Sequence, residues 1–291
     1  MHSIQLIEPL LGEPVYQAGR SRYPTVTDVA FINETRIAVI HRIGCKVYLI
    51  DLGEDGAHTI VDTLDIAHNN EKLKTEMITY ANGKLYMITY TDLMFILEIV
   101  ENKLTIVDRI VFKPGMSYHG LQAKGNHLYV TPCNNMSPRK DKIVKFNMTN
   151  KTFEYIESPD LLQKYLIKDI TFLPNNMILL AICFKKDSNM CLSNHTNDGM
   201  IGLFDSSFKL KDKLMLPKIH IDSLIAKDNA FYVTIADNKG GFLLKSRVCG
   251  GKIERNYEKI PVGDFPHGID ICGNKLAYTS YSDSTVCIMT I

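Results

Sequence analysis

The stretch Phe265-Pro-His-Gly-Ile-Asp-Ile-Cys-Gly-Asn-Lys-Leu-Ala-Tyr-Thr-Ser-Tyr-Ser-Asp-Ser-Thr-Val-Cys287 contains the fold in miniature. Two short runs of apolar and β-branched residues flank Gly273-Asn274, a pair that tolerates the left-handed backbone of a tight hairpin. A polar loop follows, and then a third run, Thr285-Val-Cys-Ile-Met-Thr290. His267 stands eight positions before the start of the second run, Lys275-Leu-Ala-Tyr-Thr279.

The same offset recurs upstream. Asp28 precedes Arg36-Ile-Ala-Val-Ile40, Glu76 precedes Lys84-Leu-Tyr-Met-Ile88 and His119 precedes His127-Leu-Tyr-Val-Thr131. Asp169 precedes Met177-Ile-Leu-Leu-Ala181, and Asp222 precedes Ala230-Phe-Tyr-Val-Thr234. From Asp28 to His267 the successive separations are 48, 43, 50, 53 and 45 residues. A period of that length marks an array in which each unit is one small sheet. The turns ahead of the second runs are Asn33-Glu-Thr, Ala81-Asn-Gly, Lys124-Gly-Asn, Asn175-Asn, Lys227-Asp-Asn and Gly273-Asn, so the spacing predicts six equivalent hairpins.

Third strands are equally regular, at Lys46-Val-Tyr-Leu-Ile-Asp51, Met94-Phe-Ile-Leu-Glu-Ile99, Ile143-Val-Lys-Phe-Asn147, Met200-Ile-Gly-Leu-Phe-Asp205, Gly241-Phe-Leu-Leu-Lys245 and Thr285 onward. The first unit reads as strands 26–32, 36–40, 46–52 and 58–66. The last unit stops after its third strand, and Ile4-Gln-Leu-Ile-Glu8 has no partner in the first. The expected fold is therefore an all-β, six-bladed β-propeller of four-stranded antiparallel blades, closed by the N-terminal strand in the last blade. It forms a single domain over 1–291, with blades near 24–68, 72–113, 116–157, 167–217, 220–262 and 265–291 plus 3–9. The 265–287 stretch resembles the repeats of the YVTN and NHL propellers, and Tyr118-His-Gly-Leu121 with Asn126-His-Leu-Tyr-Val-Thr131 is a weaker echo. That resemblance implies the fold and names no substrate.

Composition narrows the classes of function. Hydrophobic content is 45%, charged content 22% and net charge +1, a balance that gives no long-range attraction for nucleic acid or an anionic membrane surface. No stretch approaches the ~18 to 20 apolar residues of a membrane span. The N-terminal segment has no basic n-region and is interrupted by Glu8 and Pro9, and the seven cysteines form no C-x-x-C pair. These features lead to an expectation of a cytoplasmic protein with free thiols. The sequence also lacks the G-x-G-x-x-G fingerprint, a phosphate loop, an H-E-x-x-H helix and a G-x-S-x-G elbow.

In a propeller, the first residues of the innermost strands meet at the mouth of the central channel, where connecting loops also converge. Asp28, Glu76, His119, Asp169, Asp222 and His267 are thus candidate ring residues and candidate metal ligands. Four crowded carboxylates must share protons, pair with a base or hold a cation. Carboxylates suit calcium and imidazoles suit zinc or manganese, so the cofactor expected is one divalent ion of these. The alternative reading is architectural: a Pro-His-Gly at this position ties neighbouring blades through backbone hydrogen bonds.

Loops after the second strands supply further candidates. His41 and His119 are candidate general bases. Arg42, Tyr90, Asn134, Arg139 and Tyr281 are candidate substrate contacts, the guanidinium forks suiting a carboxylate or phosphate. The long connection Phe184–Gly199, carrying Cys191 and His195, is a candidate lid, and 158–167 reads as one or two helical turns begun at Pro159 and Asp160. Two functions fit. One is a metal-assisted hydrolase or lyase acting on a small molecule. The other is a non-enzymatic scaffold that binds a protein or peptide on its loop face. Compared with the sugar-lactone lactonases, which this architecture resembles only at fold level, the chain has Glu13 near its beginning but no clear pair of channel asparagines, a departure that counts against lactonase activity in particular.

Overall fold

The computed structural model describes the chain apart from residues 7–14, 18–19, 23–25, 43, 55, 69–70, 90, 113–117, 133–141, 158–164, 185–197, 238–239, 264 and 282. It forms two compact units, one of residues 1–16, 20–118 and 267–291 and the other of residues 17–19 and 119–266. Each is built from antiparallel sheets, and no helix occurs among the described residues.

In the first unit, blade one comprises Val26–Asn33, Arg36–His41, Lys46–Leu52 and His58–Asp65. Blade two comprises Thr75–Ala81, Lys84–Thr89, Leu93–Val100 and Lys103–Val111. The sixth blade has Pro266–Cys272, Lys275–Ser280 and Thr285–Thr290, with His2–Gln5 added as its fourth strand. That addition is antiparallel, pairing His2 with Ile288 and Gln5 with Thr285, and it is locked at its end by Leu6 N donating to Ser284 O at 2.8 Å. The predicted closure by the N-terminal strand is present.

Blade three, which belongs to the second unit from His119 on, comprises Tyr118–Lys124, His127–Pro132, Lys142–Asn147 and Phe153–Glu157. Blade four comprises Tyr165–Phe172, Ile178–Phe184, Gly199–Phe204 and Leu210–Leu216. Residues 165–167, which the helical reading included, instead open the first strand of blade four; the rest of that predicted helix lies outside the described residues. Leu166, Ile167 and Ile170 are buried in the sheet, and this burial overrides the weak local helix signal. Blade five comprises His220–Lys227, Ala230–Asp237, Gly240–Cys249 and Glu258–Val262. Its third strand outruns the prediction because Gly250 and Gly251, both at positive φ, fold Lys252–Ile253 back as a short extra partner.

The chain is thus an all-β, six-bladed β-propeller. Local chemistry set the hairpins: Asn82-Gly83, Asn176, Asp228 and Gly273 adopt the positive φ that their turns require. Third strands are covered on both faces, so Leu93-Met-Phe-Ile-Leu97 is continuously buried, whereas Lys103–Val111 alternates between exposed and mostly half-buried residues. Apolar side chains fill the seams between neighbouring blades of one unit. Ile4, Val29, Phe31, Val39 and Val286 pack where blade six meets blade one, and Leu179, Ile201, Leu224 and Val233 where blade four meets blade five. Carboxylates staple the outer edges of the same seams. Asp62 accepts from Leu104 N at 2.7 Å, and Asp212 accepts from Ile253 N at 2.8 Å.

Candidate functional site

All six spaced residues are buried and lie in the first strands of their blades. Backbone irregularities place several of them. The pairing of the first two strands slips between Val26 and Asp28, Thr75 and Met77, Ile167 and Asp169, and Ile221 and Leu224. A β-bulge leaves a residue outside the ladder and re-aims its side chain. The residues so released are Thr27, Glu76, Lys168 and the Asp222-Ser223 pair.

In the second unit, His119 Nδ1 lies 3.0 Å from Lys168 O. A carbonyl oxygen only accepts, so Nδ1 carries the proton and Nε2 the lone pair. Thr131 Oγ1 donates to the same carbonyl at 3.1 Å and accepts from Gly120 N at 2.8 Å. The Lys168 side chain turns inward. Its Nζ is 3.3 Å from His119 Nε2 and 3.1 Å from Asp222 Oδ1, while Asp222 Oδ2 is 2.9 Å from His220 Nε2. His220 stacks on Phe265, with ring centroids 5.3 Å apart. Lys168, Asp222 and His119 are each below 5% exposed, so this is a buried cationic and anionic cluster whose members supply one another's counter-charge.

Asp169 is turned toward the next blade of the same unit. Its Oδ2 accepts from Leu224 N at 3.0 Å and its Oδ1 from Ile170 N at 2.8 Å. Burial pushes its carboxyl up to about 8; the two amide bonds oppose this shift and the nearby Asp222 charge adds to it.

The first unit repeats the clamp with different chemistry. His267 Nδ1 donates to Thr27 O at 2.9 Å, Thr279 Oγ1 donates to the same oxygen at 2.8 Å, and Gly268 N donates to Thr279 Oγ1 at 2.8 Å. Asp28 Oδ2 accepts from Ile78 N at 2.8 Å, as Asp169 does from Leu224. Glu76 Oε2 meets Arg42 Nη1 at 3.3 Å, and Arg42 Nη1 is 3.3 Å from Tyr281 OH. Tyr281 in turn stacks on His267, with centroids 5.3 Å apart. The structure therefore brings together Arg42, Tyr281, Glu76 and His267, residues that the sequence placed in separate loops and strands.

Other expectations resolve differently. His41, expected as a general base at an open mouth, is fully buried, and its Nδ1 accepts from Gly44 N at 2.8 Å. The lone pair that would take a proton from substrate is spent on closing the turn after its own strand. Asp28 and Asp169 likewise use carboxylate oxygens as staples between blades. Tyr90, Asn134, Arg139, Glu13 and most of the 184–199 connection lie outside the described residues. The sequence reading missed Lys168 and His220. A charged residue inside Tyr165-Leu-Ile-Lys-Asp-Ile-Thr-Phe172 was the available signal for Lys168, and the offset rule passed over it by one position.

The donor set in the second unit suits a proton network better than a metal ion, because a divalent cation at Asp222 would stand beside the Lys168 ammonium. In the first unit, Glu76 and His267 offer ligand atoms within 4.8 Å of each other, a spacing compatible with one ion.

No protein-family model matches the chain, and no curated protein matches it in sequence. Solved structures do match in fold. Streptogramin B lyase aligns at TM-score 0.58 with 10% identity, covering 92% of this chain and 95% of that one. The WD40 β-propeller domain of Doa1 aligns at 0.59 with 11% identity, covering 92% and 94%. A chain of the mitotic checkpoint complex aligns at 0.59 with 10% identity, covering 99% and 95%. At these identities the likeness establishes the propeller fold alone. Its neighbours include both a lyase and a WD40 propeller. Among the described residues, no helix is long and apolar enough to cross a membrane.

Proposed function

We propose that this propeller binds a small molecule near the start of the first strands in its second unit and acts on it as a hydrolase or lyase. Lys168, Asp222, His119 and His220 carry the proton transfers. One observation carries the reading: Thr27 occupies the place of Lys168 in the first unit and serves the same histidine clamp with a neutral side chain. The clamp needs only a backbone carbonyl, so architecture does not require a buried lysine paired with Asp222.

The chemistry follows from the fixed tautomer. His119 Nε2 holds a lone pair and is a base, Lys168 Nζ is the proton donor beside it, and Asp222 orients both Lys168 and His220. In a lyase the base would remove a proton adjacent to the leaving group and the donor would return one to it. In a hydrolase the same base would take the proton of an attacking water.

A second reading keeps a divalent ion, held in the first unit by Glu76 and His267, whose ligand atoms support it. Calcium, zinc and manganese are the candidates that carboxylate and imidazole donors admit. Bound there, the ion would polarise a carbonyl or activate water.

Melting curves of the full chain against a panel of lactones, esters and small hydroxy acids test the proposal, with Asp222→Asn measured in parallel. A compound that raises Tm in the native chain, and does so less in D222N, supports it. A panel without effect overturns it and leaves the scaffold role, binding a protein or peptide on the loop face. Adding chelator to the same assay tests the metal reading.

A further inference from the structure

We propose that Lys168 is a covalent amine nucleophile that captures a small aldehyde or ketone as an imine. This rests on the small-molecule reading of the same site and adds a substrate class to it.

Four observations lead there. First, Lys168 is 4% exposed, and an ammonium so placed persists only with partners. Its carboxylate partner, Asp222, is shared with His220 at 2.9 Å and stands 3.5 Å from His119. Second, a further neighbour of Nζ is His119 Nε2, a lone-pair nitrogen 3.3 Å away whose tautomer is fixed by the bond from Nδ1 to Lys168 O. A proton acceptor in hydrogen-bond reach is what converts an ammonium into a nucleophilic amine. Third, the bulge between Ile167 and Asp169 turns this side chain into the cluster, while the matching bulge in the first unit presents Thr27 and keeps the same backbone clamp. Fourth, Ser223, in the bulge that carries Asp222, has a fully buried hydroxyl with no partner among the described residues. A carbonyl oxygen is an acceptor that such a donor suits.

The step balances without any further reagent. His119 Nε2 takes one proton from the Lys168 ammonium. The neutral amine then forms a nitrogen–carbon bond with the carbonyl carbon, and the π pair moves to oxygen. Proton transfer from nitrogen to that oxygen gives a neutral carbinolamine. Protonated His119 returns its proton to the hydroxyl, which departs as water, and the resulting iminium remains beside the Asp222 carboxylate. Hydrolysis reverses each event and frees the lysine.

The test uses the purified full chain, glyoxylate as the carbonyl probe, and cyanoborohydride to fix any imine, followed by peptide mass mapping at short times. Exposed lysines such as Lys103 react in proportion to their accessibility, so a merely buried Lys168 would rank among the slowest. The expected result is an adduct on Lys168 forming at least tenfold faster than on Lys103, with Asp222→Asn slowing Lys168 alone. Adducts confined to exposed lysines would overturn the proposal. The native chain decides this outcome, so it stands even if D222N fails to fold. A ligand-induced rise in Tm without an adduct at Lys168 would leave the small-molecule reading intact and remove the imine.

Discussion

The imidazole of His267 donates from Nδ1 to the backbone oxygen of Thr27 at 2.9 Å, tying two neighbouring blades across 240 residues of sequence. Thr279 reaches the same oxygen, and His119 and Thr131 make the equivalent pair of bonds to Lys168 O. A seam held this way depends on both donors. Replacing His267 by Ala or Thr279 by Val should each cost about 1 to 3 kcal/mol, since the carbonyl they serve is buried. Urea unfolding of the singles and the double should also show coupling, because they share one acceptor.

The glycines that follow these histidines are steric requirements. A Cβ at Gly268 would collide with the Asp28 side chain and backbone, and one at Gly120 with Asp169 and Thr131. Gly268→Ala and Gly120→Ala should therefore destabilise the fold by about 3 kcal/mol or more, as overpacked interiors do. Gly83→Ala meets no neighbour, and its cost should come from positive φ alone, about 1 kcal/mol. Thermal melts of the three variants give the ranking.

Two desolvated carboxyls, the buried Asp169 and the half-buried Asp270, give stability a definite dependence on pH. Burial lifts Asp270 to about 6 and Asp169 to about 8, against an ordinary value near ~4. A group raised on folding contributes stability that is complete below its unfolded value and is lost as pH rises through its folded value. The native chain should accordingly lose stability from pH 4 upward through about 6, as Asp270 ionises, and on through about 8, as Asp169 does. Denaturation midpoints measured across this range for wild type and Asp270→Asn should differ in slope below neutrality, with the flatter profile in the variant.

Lys168 and Asp222 should be strongly coupled. Lys168→Met leaves a buried carboxylate short of its main counter-charge and should cost about 3 to 5 kcal/mol. Removing both charges in Lys168→Met/Asp222→Leu should recover much of that loss. Equilibrium unfolding of the set reads the coupling directly.

Chelation supplies a further comparison. Internal counter-charges already meet Asp222 and Glu76, through Lys168 and Arg42. Under the proton-network reading, Tm should be indifferent to chelator, while a bound ion would make it fall.

The hairpins and their order were legible because they depend on local chemistry: Asn82-Gly83 or Asp228-Asn229 turns a chain wherever it sits. Closure by His2–Gln5 was legible too, from a blade one strand short. The site was legible only in outline. Asp222, Glu76 and the two histidines could be located by spacing, but their partners depend on bulges that offset residues by one place. This is how Lys168 joined the cluster unnoticed while Asp169 turned to a neighbouring backbone amide. The surroundings of His41 were hidden for a related reason, since a bond from Gly44 N, three residues away, occupies its Nδ1 lone pair.

The strand His2–Gln5 is made long before the strand it pairs with. Its partner Thr285–Thr290 leaves the ribosome only after the five intervening blades, so the N-terminal segment must stay unpaired through almost the whole of translation. Closing so long a loop costs little more entropy than closing one half its length, but the contact is slow to find. Substitutions that weaken the pairing of His2–Gln5 with Thr285–Thr290 would therefore interfere with this blade while leaving the other five free to form.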